Sequence, residues 1–281
     1  MPVPPPTRPR LLHLGGSGPL LHLAHANGFP PGAYAPLARA LAPGFRVIAL
    51  PSRPLWAGPL PPPDLSWDRL AADLADGLWA CGQRDLVGVG HSFGVVLTAL
   101  AALRRPGLFR SLVLLDPVLL HPAWLVVTAL LRPFGLHGRL PLAEGARRRR
   151  RTFVSRAAAR EHFRSRRLFE RFGDAALDAY VDAVLRPDPA GGLTLAFPPA
   201  WEAHLYGSVP TDLWTRLPRL PVPTAILVGE HTDVLVPESR ALLGRAWPTA
   251  RLEVLPGAGH LHPLERPEAT AAFVQSFIAS C

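Results

Sequence analysis

The chain has 281 residues, 48% of them hydrophobic and 18% charged, a balance that suits a folded globular protein with a large core and excludes a disordered or fibrous one. Two cysteines, Cys81 and Cys281, exclude a disulfide framework and a cysteine-based metal site, so a reducing, cytoplasmic setting and no metal are expected. The net charge of +9, with arginine as the sole strongly basic residue type, would suit nucleic acid, but no nucleic-acid motif accompanies it and it reads as compositional bias.

The N-terminal stretch MPVPPPTRPRLLHLGG has no apolar run of signal-peptide length. LLHL (11–14) and LLHLA (20–24) flank GGSGP and read as two short strands joined by a glycine-rich turn. YAPLARALA (34–42) has helical spacing, and FRVIAL (45–50) reads as a strand ended by Pro51. The proline-rich segment 51–65 is a loop, because proline removes the donors that helices and ladders use. WDRLAADLADGLWACG (67–82) is an amphipathic helix with Leu70, Leu74 and Leu78 on one stripe. DLVGVG (85–90), a helix after Ser92, and SLVLLD (111–116) follow. TAILVG (224–229), a helix from Pro237, RLEVL (251–255) and a helix from Pro267 resume the alternation. Alternating strands and helices predict an α/β fold with a mostly parallel central sheet flanked by helices.

Residues 118–219 break that rhythm. They offer no central strand, and they carry the apolar run WLVVTALL (124–131) and an arginine-rich stretch (146–172). WLVVTALL is too short to span a bilayer, so no integral membrane segment is expected. Two domains are predicted: a core of 1–117 plus 220–281, and a helical cap, or lid, inserted at 118–219.

Gly90-His91-Ser92-Phe93-Gly94 sits between a buried strand and a helix. That is the setting of a nucleophile elbow, where a strained turn projects one hydroxyl from the sheet and its neighbours must be small. The first amide of the following helix then points at a developing oxyanion. A serine hydroxyl needs a base. His260, behind the flexible Gly257-Ala258-Gly259 loop and after the last strand, is the expected base, with His262 the competitor. The orienting carboxylate is expected from Asp233, in the loop after TAILVG, with Glu230 in the same loop and Asp116, at the end of SLVLLDP, as the alternative acid. A second oxyanion donor is expected from the loop His25-Ala26-Asn27-Gly28-Phe29-Pro30.

These pieces, with LVLLDP, ILVGEHTDVLVP and LPGAGHLHPLERPEATAAFVQSFI, resemble the α/β-hydrolase-fold serine hydrolases of the lid-bearing esterase, lipase and acyltransferase-like kind, over nearly everything outside the insertion. The resemblance implies Ser92 as nucleophile, His260 as base, Asp233 as acid, and oxyanion amides from Phe93 and Asn27. It implies no cofactor. Two departures stand out. The oxyanion loop can be aligned to place either Asn27 or Phe29 at the donor position, and Asn27 keeps the spacing to Tyr34. Gly229 and Asp233 stand one residue further apart than is common. A serine in place of the aspartate used by epoxide hydrolases and dehalogenases of this fold points to acyl transfer.

The expected activity is hydrolysis of an ester-like bond (carboxylic ester, thioester or lactone) in a small-molecule acyl substrate through an acyl-enzyme. Carbon–carbon bond hydrolysis by the same triad, or ligand binding without catalysis, are the competing functions. Trp124, Phe134, Trp201 and Tyr206 are candidates to line an acyl pocket, or else to pack the lid. Arg156, Arg160, Arg164, Arg167 and Arg171 recur at three- or four-residue spacing and predict one helix face, either solvated or binding an anionic substrate group.

Overall fold

The computed structural model describes residues 9–58, 60–131 and 141–281. The first half builds β1 (Leu12–Gly15), β2 (Leu20–Ala24), α1 (Ala35–Leu41), β3 (Arg46–Ala49), α2 (Trp67–Ala80), β4 (Leu86–His91), α3 (Phe93–Arg104) and β5 (Phe109–Leu115). Among the described residues the segment 118–219 then contributes α4 (Pro122–Leu131), α5 (Pro141–Arg147), β6 (Thr152–Phe153), α6 (Arg156–Arg164), α7 (Asp174–Val184), β7 (Leu185–Pro187), β8 (Leu193–Leu195), α8 (Pro199–Gly207) and α9 (Leu213–Arg216). The chain ends with β9 (Thr224–Gly229), α10 (Pro237–Ala246), β10 (Arg251–Leu255), α11 (His262–Glu265) and α12 (Pro267–Ala279). No helix among the described residues is long and apolar enough to cross a membrane.

The main sheet runs β1-β3-β2-β4-β5-β9-β10, parallel except for β1. The two short strands around the glycine-rich turn are present, but they do not pair with each other; β1 pairs antiparallel with β3, which lies between them. Gly15, Gly16 and Gly18 all take positive φ, and an added Cβ at Gly16 would stand 2.0 Å from the Phe45 carbonyl oxygen. The glycine run therefore carries the chain across the start of β3 rather than reversing it in a two-strand turn.

The inner strands β3, β2, β4, β5 and β9 are largely apolar on both faces because both faces are covered, whereas the edge strands β1 and β10 are more exposed. Leu21, Leu23, Val87, Val89, Val113 and Leu115 face one cluster, with α1 and α12. Leu86, Leu112, Leu114, Ile226 and Val228 face the other, with α2, α3 and α10. The first cluster continues without a break into the segment 118–219 through Phe153, Phe163, Phe169, Phe172, Leu177 and Tyr180. Residues of 118–219 are therefore packed into the same core, and this segment carries a small antiparallel sheet, β6-β8-β7, that the sequence pattern did not reveal.

Candidate active site

The elbow forms where β4 hands over to α3. Ser92 has φ 55° and ψ −115°, a sparsely populated conformation for a residue with a side chain. The surrounding glycines explain how the turn fits. A Cβ on Gly90 would stand 2.5 Å from the Gly94 carbonyl oxygen, and one on Gly94 would stand 2.2 Å from that of Ala24. Ser92 donates its amide to the Leu115 carbonyl (3.0 Å), which fixes the elbow against the end of β5.

His260 lies beside it. The Ser92 hydroxyl is 2.9 Å from His260 Nε2, and His260 Nδ1 is 2.9 Å from Asp116 Oδ1. A carboxylate facing Nδ1 fixes the tautomer: Nδ1–H donates to Asp116, and Nε2 accepts from the Ser92 hydroxyl. Asp116 is fully buried and takes two further bonds, from the Gly229 amide to Oδ2 (2.9 Å) and from the Thr232 hydroxyl to Oδ1 (2.8 Å). It has φ 50° immediately before Pro117, a strained placement held by its amide bond to the Leu227 carbonyl (2.8 Å).

The expected contact between His260 and Asp233 is therefore corrected. Asp233 is exposed and lines an open cleft with Leu120, His121, Val234, Val236 and Glu238. The reason is local. The Thr232 amide bonds back to the Gly229 carbonyl (3.2 Å), and this turn aims Thr232, not Asp233, at the sheet. Thr232 stands at the commoner spacing from Gly229, so the residue at that place donates to a carboxylate supplied by the neighbouring strand. Glu230 is also elsewhere, accepting from the Gly257 amide (2.7 Å) at the start of the histidine loop. His262 is buried, with Nδ1 3.1 Å from Thr270 Oγ1, and burial lowers its pKa to about 4, so it stays neutral.

In the loop after β2, Asn27 is nearly buried and donates Nδ2 to the Glu202 carbonyl (3.1 Å). The Phe29 amide already donates to the Ala26 carbonyl (3.2 Å), and its ring packs on Phe169 and Tyr180. The Phe29 amide is thus engaged within its own loop. Phe93 is the first residue of α3, so its amide lies at the positive end of that helix. Above Gly28 (φ 76°) sits an ion pair that the sequence did not announce: Arg149 to Glu202 (2.7 Å), with Arg149 also donating to the Tyr180 hydroxyl.

Of the candidate pocket aromatics, Trp201 and Tyr206 take the packing alternative. Trp201 is fully buried, donates its indole N–H to the Gly58 carbonyl (2.8 Å) and belongs to the core. Tyr206 packs on Ala143, Ala146 and Ala203. Trp124 falls within α4, and Phe134 lies outside the described residues. The arginine face is also reassigned. α6 ends at Arg164, so Arg167 and Arg171 do not continue it. Arg156, Arg160 and Arg164 pair with Asp174, Asp178 and Asp182 of α7, and Arg171 donates to the Gly257 carbonyl (2.9 Å).

A mostly parallel sheet with a strained serine at the C-terminal end of β4, a carboxylate at the end of the adjacent β5 and a histidine in the loop after β10 defines the α/β-hydrolase class of architecture. Residues 20–273 match the model of the alpha/beta hydrolase family, and the chain belongs to that family. Solved structures similar to it include an E-2-(acetamidomethylene)succinate hydrolase, 22% identical over 96% of this chain and 94% of that one (TM-score 0.79). A thioesterase domain from the curacin biosynthetic pathway is 19% identical over 94% of both chains (TM-score 0.73). A thermophilic esterase from Thermogutta terrifontis is 22% identical over 96% and 93% (TM-score 0.68).

Proposed function

We propose that the protein is a serine hydrolase that cleaves an ester-like bond of a small acyl substrate through an acyl-enzyme intermediate. The observation that carries this reading is the continuous Ser92–His260–Asp116 chain, two contacts of 2.9 Å around a serine held at positive φ. Ser92 gives its proton to His260 Nε2 as it attacks the carbonyl carbon. The tetrahedral oxyanion is held by the amides of Asn27 and Phe93. His260 returns the proton to the leaving group, and Asp116 stabilises the imidazolium in between. Water, activated by His260, then attacks the acyl-enzyme and releases Ser92. Residues 118–219 act as a cap over this site. The hydrolytic relatives, which include a thioesterase and an esterase by name, support an acyl-transfer reading over ligand binding alone.

The test is covalent labelling by a fluorophosphonate, together with turnover of p-nitrophenyl acyl esters of graded chain length. Wild-type protein is expected to be labelled at Ser92 and to turn over esters, and Ser92→Ala to lose about 10⁴-fold or more. Folded wild-type protein with no Ser92 adduct would sink the proposal. Turnover of diketones in preference to every ester would move it to carbon–carbon bond hydrolysis.

A further inference from the structure

The residue before the nucleophile, His91, is completely buried, yet both of its ring nitrogens are engaged. Nε2 lies 3.0 Å from the backbone carbonyl oxygen of His260. A carbonyl only accepts, so Nε2 carries the hydrogen and Nδ1 is left as an acceptor. Nδ1 faces the Tyr34 hydroxyl at 2.6 Å, so that hydroxyl donates to it. The Tyr34 oxygen in turn accepts from the Ala26 amide at 3.0 Å. One unbranched chain of hydrogen bonds therefore runs from the oxyanion loop, through Tyr34 and His91, to the backbone of His260. Every bond in it runs in one direction, with the Tyr34 hydroxyl accepting from Ala26 and donating to His91.

Packing alone does not account for this arrangement. The site lies in the apolar interior, where an aliphatic side chain would fill the volume without removing an imidazole from water. Tyr34 is likewise fully buried, and its hydroxyl would be costly there without partners. The chain also ends on the three segments whose relative placement governs acyl transfer. Ala26 precedes Asn27, His91 precedes Ser92, and the accepting carbonyl belongs to His260 itself. The rings of His91 and His260 also pack on each other, with centroids 5.3 Å apart.

We propose that His91 and Tyr34 are positioning residues that hold the His260 ring and the Asn27 amide in one fixed arrangement around Ser92, an inference that rests on the serine-hydrolase reading above. Neither residue touches the reacting atoms. Their effect is on how often the base and the oxyanion donor are correctly placed together, so it falls on the chemical step rather than on substrate binding.

Tyr34→Phe, His91→Gln and His91→Leu test this with p-nitrophenyl acetate. In Gln, the amide nitrogen can donate to the His260 carbonyl while the amide oxygen accepts from Tyr34. Leu does neither. Tyr34→Phe and His91→Leu are expected to lose about tenfold or more in kcat with KM within about twofold, and His91→Gln to recover most of the loss. Should His91→Leu not fold, Tyr34→Phe, which removes one oxygen and no carbon, carries the test, with thermal unfolding to confirm an intact fold. Wild-type kcat in Tyr34→Phe, or a His91→Gln variant no more active than His91→Leu, would overturn the inference. Fluorophosphonate labelling of the wild type separates the two levels. An unlabelled Ser92 removes the hydrolase reading and this inference with it, whereas a labelled wild type beside an unimpaired Tyr34→Phe removes the inference alone.

Discussion

Among the described residues four histidines are buried and held neutral, and their titration sets the acid limit of the fold. Burial, aided by the neighbouring His25, lowers the pKa of His22 to about 3, and burial lowers those of His25 and His262 to about 4; His91 is also shifted well down by burial and by the adjacent His260 and His262. Above the ordinary value of 6.5, folded and unfolded chains both keep these rings neutral and nothing is lost. Below it the unfolded chain binds protons that the folded chain refuses, at about 1.4 kcal/mol per pH unit for each ring. The thermal midpoint is therefore expected to fall steeply from pH 6.5 towards 4, and a flat profile between pH 7.5 and 5 would contradict this account of the buried rings. The glycines divide in a similar way. Gly94→Ala places a methyl 2.2 Å from the Ala24 carbonyl oxygen and is expected to yield little folded protein, whereas Gly244→Ala, in open space on α10, is expected to stabilise by about 0.5–1 kcal/mol. Thermal unfolding of the two variants reads both outcomes. The elbow residues Gly90, Ser92 and Gly94 were legible in the sequence because their spacing follows from steric contact within one short turn.

Elements that meet across long stretches of chain were harder to read. The Arg156, Arg160 and Arg164 spacing was visible, but its meaning depended on Asp174, Asp178 and Asp182 presenting a matching spacing on α7. These pairs are largely exposed, so each contributes little and is screened by salt. Arg149 and Glu202 are different, with side chains only 18% and 9% exposed over Gly28. Breaking such a pair from one side leaves a buried charge, so Arg149→Met is expected to destabilise by about 3 kcal/mol or more. The double variant Arg149→Met/Glu202→Leu is expected to lose much less than the sum of the two single changes, which denaturant unfolding of the four proteins measures. Additive losses would show that the two side chains act independently. Nothing in the local pattern around Arg149, one of five consecutive arginines, distinguished it from its solvated neighbours. Only the fold places it over the loop of Asn27.

At the scale of the molecule, the mostly parallel sheet was readable, because runs buried on both faces announce one, whereas the pairing order of its strands was not. The partner of β1, for example, is chosen by the glycine run that precedes β2 and not by sequence adjacency. The same limit explains the acid. Asp116 and Asp233 both follow strands that end at the same edge of the sheet, next to each other in β5 and β9. Sequence places both near His260 and does not say which carboxylate turns inward. The turn at Gly229–Thr232 decides it by sending the Thr232 hydroxyl to Asp116 and Asp233 to the surface. The measurement that tests this most directly is kcat/KM for ester hydrolysis by Asp116→Asn and Asp233→Asn side by side. Asp116→Asn is expected to fall by about 10⁴-fold, as when a triad histidine loses its carboxylate, with Asp233→Asn close to wild type. Loss of activity in Asp233→Asn with Asp116→Asn unimpaired would contradict the assignment of the Ser92–His260–Asp116 site.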